Sequence, residues 1–302
     1  MKSQIKIAIT GASGLLGRAM VDHFATRGHQ IWTIGRGKTS SPLATGHIPW
    51  DPAQGMLESD GLKTMDVVIH LAGANVGQRW TARHRRAILE SRVLGTRLLM
   101  HALKEQDFRG TLLCASAVGL FGDSDMLHVE RDEAGTGFLA DVVKAWEQEM
   151  TWDDPLDFRV VGLRLGVVLS PDGGSLQRMK PIYRCGLGAP LGTGMQWMSW
   201  IHIDDAVGAF DWCLQQTHLR GPVHVVAPQP VQNRNFSKAL ARVLGSPHVA
   251  PRVPSWVLRM MLGDLADVVL HSQRVSPSLL EQSGFIWRHP DLEGALKDCL
   301  CP

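Results

Sequence analysis

The stretch Gly11-Ala12-Ser13-Gly14-Leu15-Leu16-Gly17 restricts this chain more than any other feature. Before it lies the apolar run Ile-Lys-Ile-Ala-Ile-Thr at 5–10, read as a strand. After it, at 14–27, Leu15, Leu16, Ala19, Met20, His23 and Phe24 recur with a helical period of about 3.6 residues. A strand, a glycine turn and a helix in direct succession form the context that a dinucleotide's pyrophosphate needs. Gly11 can take the tight turn, Gly14 puts no Cβ between phosphate and backbone, and Gly17 lets the helix pack close to the strand. Thr10 and Ser13 flank the turn, and the N–H groups at 14–16 sit at the positive end of the helix. The plainer reading is an ordinary glycine turn.

Strand-like runs at 30–34, 66–71, 111–115 and 158–169 alternate with helical segments at 81–104 and 138–150. Such alternation implies parallel strands joined by right-handed crossovers, hence an α/β, doubly wound parallel sheet. The pattern changes after Leu169. Residues 171–174 (Pro-Asp-Gly-Gly) read as a turn, and 186–194 holds four glycines and a proline. A helix at 204–215 and a last strand at 222–226 follow, then short helices punctuated by prolines at 247, 251, 254 and 277. The expected organisation is a sheet domain at 1–169, completed by 199–226. Residues 170–198 and 227–302 would form a smaller, mainly helical cap.

The end of the second strand selects the cofactor. An acid there would accept hydrogen bonds from the ribose 2′-hydroxyl of NAD. The chain has instead Thr33-Ile34-Gly35-Arg36-Gly37-Lys38, with two cations and no acid. A guanidinium can fork onto a 2′-phosphate and stack on adenine. NADP is therefore expected, NADPH in preference to NADH, with Arg36 as the main contact and Lys38 as a weaker one.

Composition narrows the partners. Of 302 residues 44% are hydrophobic, which excludes wholesale disorder. Lys plus Arg is 31 and Asp plus Glu 29, a net charge of +2, so neither nucleic acid nor an anionic membrane is an expected partner. No apolar run approaches the roughly 20 residues of a spanning helix. The 5 cysteines show neither a disulfide framework nor a zinc spacing. With a start that runs straight into a strand and leaves no room for a signal peptide, a reducing, cytoplasmic setting and no metal are expected.

Further motifs carry a resemblance. They are Leu71-Ala72-Gly73, Gln78-Arg79-Trp80-Thr81, Ser91-Arg92-Val93-Leu94-Gly95-Thr96, Ser116-Ala117-Val118-Gly119-Leu120-Phe121-Gly122, Trp146-Glu147, Arg164-Leu165-Gly166-Val167-Val168-Leu169 and Trp200-Ile201-His202-Ile203-Asp204-Asp205. Together with the glycine turn they resemble the extended short-chain dehydrogenase/reductase superfamily, within it the NAD-dependent epimerase/dehydratase family and its atypical YfcH-like subgroup, over essentially the whole chain. The resemblance implies a Rossmann domain with a C-terminal cap and a small-molecule substrate in the cleft between them. It implies that Trp50 and Asp51 flank adenine, that Leu71, Ala72 and Gly73 pass along the adenine ribose, and that Leu165, Gly166 and Val167 approach the nicotinamide amide. A homodimer through two long helices is the superfamily expectation.

Standard members of that superfamily transfer a proton through a Tyr-x-x-x-Lys pair assisted by Ser. Here the position four before Lys144 is Ala140, which has no proton to give. The candidates that remain are Ser116, Lys144 and Tyr183, the single tyrosine, with Asp123 and His202 as substitutes. His202 also precedes Asp204, a plausible cap for the next helix. Arg92 stands where the family places Asn, and a cation facing the cleft would favour an acidic substrate; the plainer role is a salt bridge to Glu90 or Asp123. Phe121 and Met179 are further candidate substrate contacts. Two functions follow: an NADP-dependent oxidoreductase or epimerase with a non-standard proton donor, or a binding protein that senses NADP(H) without turnover.

Overall fold

The computed structural model describes residues 4–37, 41–150 and 155–301. Strand β1 (Lys6–Thr10) buries Ile7, Ala8 and Ile9 completely, as a parallel strand covered on both faces must. Helix α1 (Leu15–Thr26) follows and buries Met20, Val21 and Phe24. β2 (Gln30–Gly35) and β3 (Gly46–Asp51) extend the sheet on one side, and β4 (Met56–Leu57) turns back antiparallel on β3. The chain then crosses to the other side of β1 as β5 (Val67–His70), and helix α2 (Ala82–Glu105) leads to β6 (Thr111–Ala117). Thr81 caps α2 by accepting the His84 N–H.

Next come β7 (Ser124–His128), α3 (Phe138–Gln148), β8 (Arg159–Leu165), β9 (Val167–Ser170), α4 (Gly174–Arg184), β10 (Trp197–Met198), β11 (Trp200–His202), α5 (Ile203–Gln215) and β12 (Gly221–Val225). The chain closes with β13 (Val231–Gln232), α6 (Asn233–Val243), α7 (Ser255–Leu262), α8 (Asp267–Leu270), β14 (Gln273–Val275), α9 (Ser278–Gln282) and α10 (Leu292–Leu300). The main sheet has eight strands in the order β12-β8-β6-β5-β1-β2-β3-β4, and every neighbouring pair except β3–β4 is parallel. It is the doubly wound, Rossmann-type sheet expected from the alternating strands and helices. Chain order reverses between β5 and β1, so a crevice opens beyond the carboxyl ends of those two strands.

The run at 158–169 is not one strand. It breaks at Gly166, where a Cβ would lie 2.6 Å from the Ser199 carbonyl oxygen and 2.8 Å from Val226 Cγ1. Up to that residue the chain pairs with β12; beyond it, the Val167 N–H bonds Ser199 O at 2.9 Å and β9 joins β11 in a separate two-stranded sheet.

The C-terminal region is largely helical, yet its short strands β10, β13 and β14 form a four-stranded sheet, β13-β10-β14-β7, with β7 from within the expected sheet domain. These strands are short and their sequences show no alternation, so they escape a periodicity reading. A second apolar cluster lies there, with Leu176, Tyr183, Trp200, Phe236, Leu240 and Leu296. No described helix is long and apolar enough to cross a membrane.

Candidate functional site

The crevice is built from the glycine turn upward. Gly11 adopts φ +68°, and a Cβ there would lie 2.9 Å from both Ala72 N and the Leu71 carbonyl carbon. Only glycine suits both the conformation and the contact. The Gly14 N–H closes the turn on Gly11 O at 2.9 Å. Gly14 also occupies the N-cap of α1, which has no side-chain cap and no acid in its first turn. The first N–H groups of the helix and its positive end are thus left for an anion. Leu16 packs into the main core, while Leu15 lies against Gly173 and Gly174.

Gly11, Ser13 and Gly14 line a groove of about 870 Å³ together with Arg36, Trp50, Asp51, Leu71, Ala72 and Gly73. A side-chain-free floor, an uncapped helix start and a cation beside β2 suit a dinucleotide phosphate. Trp50 is mostly buried, edge-on to His70 with centroids 5.9 Å apart, and its indole N–H has no acceptor. Asp51 accepts the Ala53 N–H at 3.1 Å. Lys38 lies outside the described residues.

Thr10 does not line the groove. It is fully buried, and its hydroxyl oxygen accepts the N–H groups of Leu71 at 3.0 Å and Ala72 at 3.1 Å. Ser91 and Leu94, from the Ser91–Thr96 motif, also line the groove, as do His47 and Glu90, to which no motif pointed. His47 sits on β3 beside Thr33, 2.9 Å from its hydroxyl, so the strand pairing was the only available signal.

The candidate catalytic residues are not assembled. Ser116 is buried and donates to Glu147 Oε1 at 2.5 Å. Glu147 in turn holds Arg164 through two bonds of 2.8 Å. Lys144 reaches Asp141 Oδ1 at 3.8 Å on the partly exposed side of α3, and Ala140 is wholly buried. Tyr183 sits in the second apolar cluster with its hydroxyl 2.7 Å from Ser237 Oγ; burial raises its pKa.

Arg92 is half-buried, donates to Ala74 O and Ile88 O at 3.1 Å each, and lies over the Trp146 ring at 5.1 Å. Burial lowers its pKa to about 10. Among the described residues Arg92 forms no ion pair with Asp123, whose Oδ1 accepts the Ser272 N–H at 2.7 Å. Phe121 is buried and stacked on His128 at 4.4 Å, and Met179 packs against the second cluster. Leu165, Gly166 and Val167 are half-buried at the point where β8 gives way to β9.

His202, Asp204 and His289 place ligand-type atoms within 4.8 Å of one another. The cap of α5 is His202 rather than Asp204, since His202 Nδ1 accepts the Asp204 N–H at 3.2 Å. The neutral ring then carries its proton on Nε2, which lies 3.2 Å from Asp298 Oδ2 without completing a hydrogen bond. Burial, and then His289, lower the His202 pKa. A metal at Nε2 would have to displace that proton, and one at Nδ1 would break the cap. The donor set suits a helix start better than an ion.

Comparison with known proteins adds to this geometry. Residues 7–227 match the family model described as NAD dependent epimerase/dehydratase family, and residues 253–299 match a domain of unknown function, DUF1731. The chain is 38% identical over 293 residues to epimerase family protein Mb2239 of Mycobacterium bovis, covering 96% of each. It is 33% identical to epimerase family protein YfhF of Bacillus subtilis, covering 98% of each. Among solved structures it is similar to human epimerase family protein SDR39U1, isoform 2, determined with NADPH (TM-score 0.86, 28% identity, 98% of this chain and 99% of that one). It is also similar to a nucleoside-diphosphate sugar epimerase of Corynebacterium glutamicum, with TM-score 0.78 and 33% identity over 97% of this chain and 57% of that one.

Proposed function

The chain belongs to the NAD dependent epimerase/dehydratase family, and from that premise we propose that it binds NADP(H) in the groove at the carboxyl ends of β1 and β5. One observation carries the reading: Arg36 lines the same groove as the glycine floor, and no acid stands at the end of β2. An acid there would repel a 2′-phosphate, whereas a guanidinium accepts it. The human relative solved with NADPH supports the same choice. The N–H groups that open α1 would take the pyrophosphate, Leu71 to Gly73 would border the adenine ribose, and Leu165 to Val167 the nicotinamide. When bound, the cofactor supplies or accepts a hydride. The substrate would enter between the sheet domain, 1–169 with 199–226, and the cap, 170–198 with 227–302.

A second reading, binding without turnover, draws on the scattered candidate residues. Ser116 is committed to Glu147, Tyr183 to Ser237, and the Tyr position of the standard motif is the buried Ala140. Two measurements separate the readings. NADPH titration followed by its fluorescence should give tighter binding than NADH. A panel of small carbonyl compounds and sugar nucleotides should then consume NADPH if the protein is an oxidoreductase. Binding with no consumption, and with slower hydrogen exchange in the cap, would favour the sensing role. Absence of binding to either nucleotide would overturn both.

A further inference from the structure

A chain of hydrogen bonds beneath the groove has only one consistent direction. Thr10 Oγ1 accepts two N–H groups, from Leu71 and Ala72, which occupy both of its acceptor sites. Its own proton must therefore go to His70 Nδ1, 2.7 Å away. That nitrogen is then unprotonated, and His70 Nε2 carries the hydrogen and donates to Thr96 Oγ1 at 3.0 Å. Thr96 Oγ1 also accepts the indole N–H of Trp146, a donor only, at 2.9 Å. Thr10, His70 and Thr96 are all fully buried, so water cannot replace a lost partner.

The groove end of this chain meets the glycine turn. Leu71 and Ala72, the two residues Thr10 holds, are those that a Cβ at Gly11 would strike first. The other end reaches α2 at Thr96 and α3 at Trp146. We propose that His70 is a positioning residue for the dinucleotide groove: through Thr10 it holds the main chain of Leu71 and Ala72 against the Gly11 turn, and it ties that floor to α2 and α3. Only the neutral tautomer with hydrogen on Nε2 does this. A hydrogen on Nδ1 would face a hydroxyl whose acceptor sites are full, and one of the two backbone N–H groups would lose Oγ1; Leu71 could fall back on the Thr10 carbonyl oxygen at 3.3 Å, whereas Ala72 could not.

The proposal rests on the groove being an NADP(H) site, so NADPH binding by the wild type is measured first; failure there counts against the site's assignment. The direction of the chain is read independently, from the imidazole ¹⁵N shifts of His70. The expected pattern is an unprotonated Nδ1 and a protonated Nε2, with both signals moving on NADPH saturation. Thr10→Val, close to isosteric, should weaken NADPH about tenfold or more, while Thr10→Ser stays within about threefold of wild type. His70→Leu should behave like Thr10→Val, and His70→Asn, which keeps an acceptor for Thr10, should recover most of the affinity. A hydrogen on Nδ1 overturns the proposal. So does a folded Thr10→Val or His70→Leu protein with unchanged NADPH affinity.

Discussion

The Cβ that Gly17 lacks would lie 2.1 Å from the carbonyl oxygen of Gly11, so the first turn of α1 rests directly on the turn before it. Backbone lies on both sides of that contact, and neither side can rotate away. Gly17→Ala is expected to cost about 1–3 kcal/mol or more in urea unfolding and to weaken NADPH binding. Gly61→Ala is the control. Its nearest neighbour would be Ile48 Cδ1 at 3.8 Å, and little change is expected.

Among the described residues Arg36 has no hydrogen-bond or ion-pair partner, and it is exposed where it lines the groove. Arg36→Ala should weaken NADPH by about ten- to a hundredfold, the worth of a charge-assisted bond, and leave NADH within about threefold. Equal losses for the two nucleotides, measured by calorimetry, would remove the assignment of the 2′-phosphate contact.

The Glu147–Arg164 pair is almost completely buried, with side chains 8% and 6% exposed. Removing one partner leaves the other charge in the core. Arg164→Met and Glu147→Leu are each expected to cost about 3–5 kcal/mol in stability, and the double variant less than their sum. A double-mutant cycle in urea tests this. Additive losses would mean the two side chains act separately.

His70 gives the protein a pH signature. Burial, and then the nearby Arg92 charge, lower its pKa from the ordinary 6.5 to about 4. A depressed pKa means the unfolded chain takes up the proton first. The stabilisation is complete above about pH 6.5 and is lost progressively as pH falls toward 4. The wild type should therefore lose on the order of 2 kcal/mol between pH 7 and pH 5 that His70→Asn does not lose. Parallel pH profiles of unfolding for the two proteins would contradict this.

The sheet was legible because its signals are local. Continuous apolar strands such as β1 and a glycine turn at a strand-to-helix junction determine their own structure. What escaped depends on distant neighbours. Gly166 breaks a strand because of Ser199 and Val226, which no local pattern announces. His202 caps α5 in place of Asp204 because its ring turns back on the helix start. Ser116 was recognisable as a strand-end hydroxyl, but its direction depends on Glu147, one helix away. Spacing also could not show that Tyr183 belongs to Ser237 and the second apolar cluster.

The small sheet joins Ser124 on β7 to Gln273 on β14, and Trp197 on β10 to Gln232 on β13. During synthesis, β7 leaves the ribosome long before the strand it must lie beside. Until then the edge of β7 that β14 will cover is open, beside Met126 and Leu127, which stay exposed even in the complete fold. A polypeptide released early would keep that edge for good, so premature termination upstream of β14 should yield an adhesive fragment rather than a usable half.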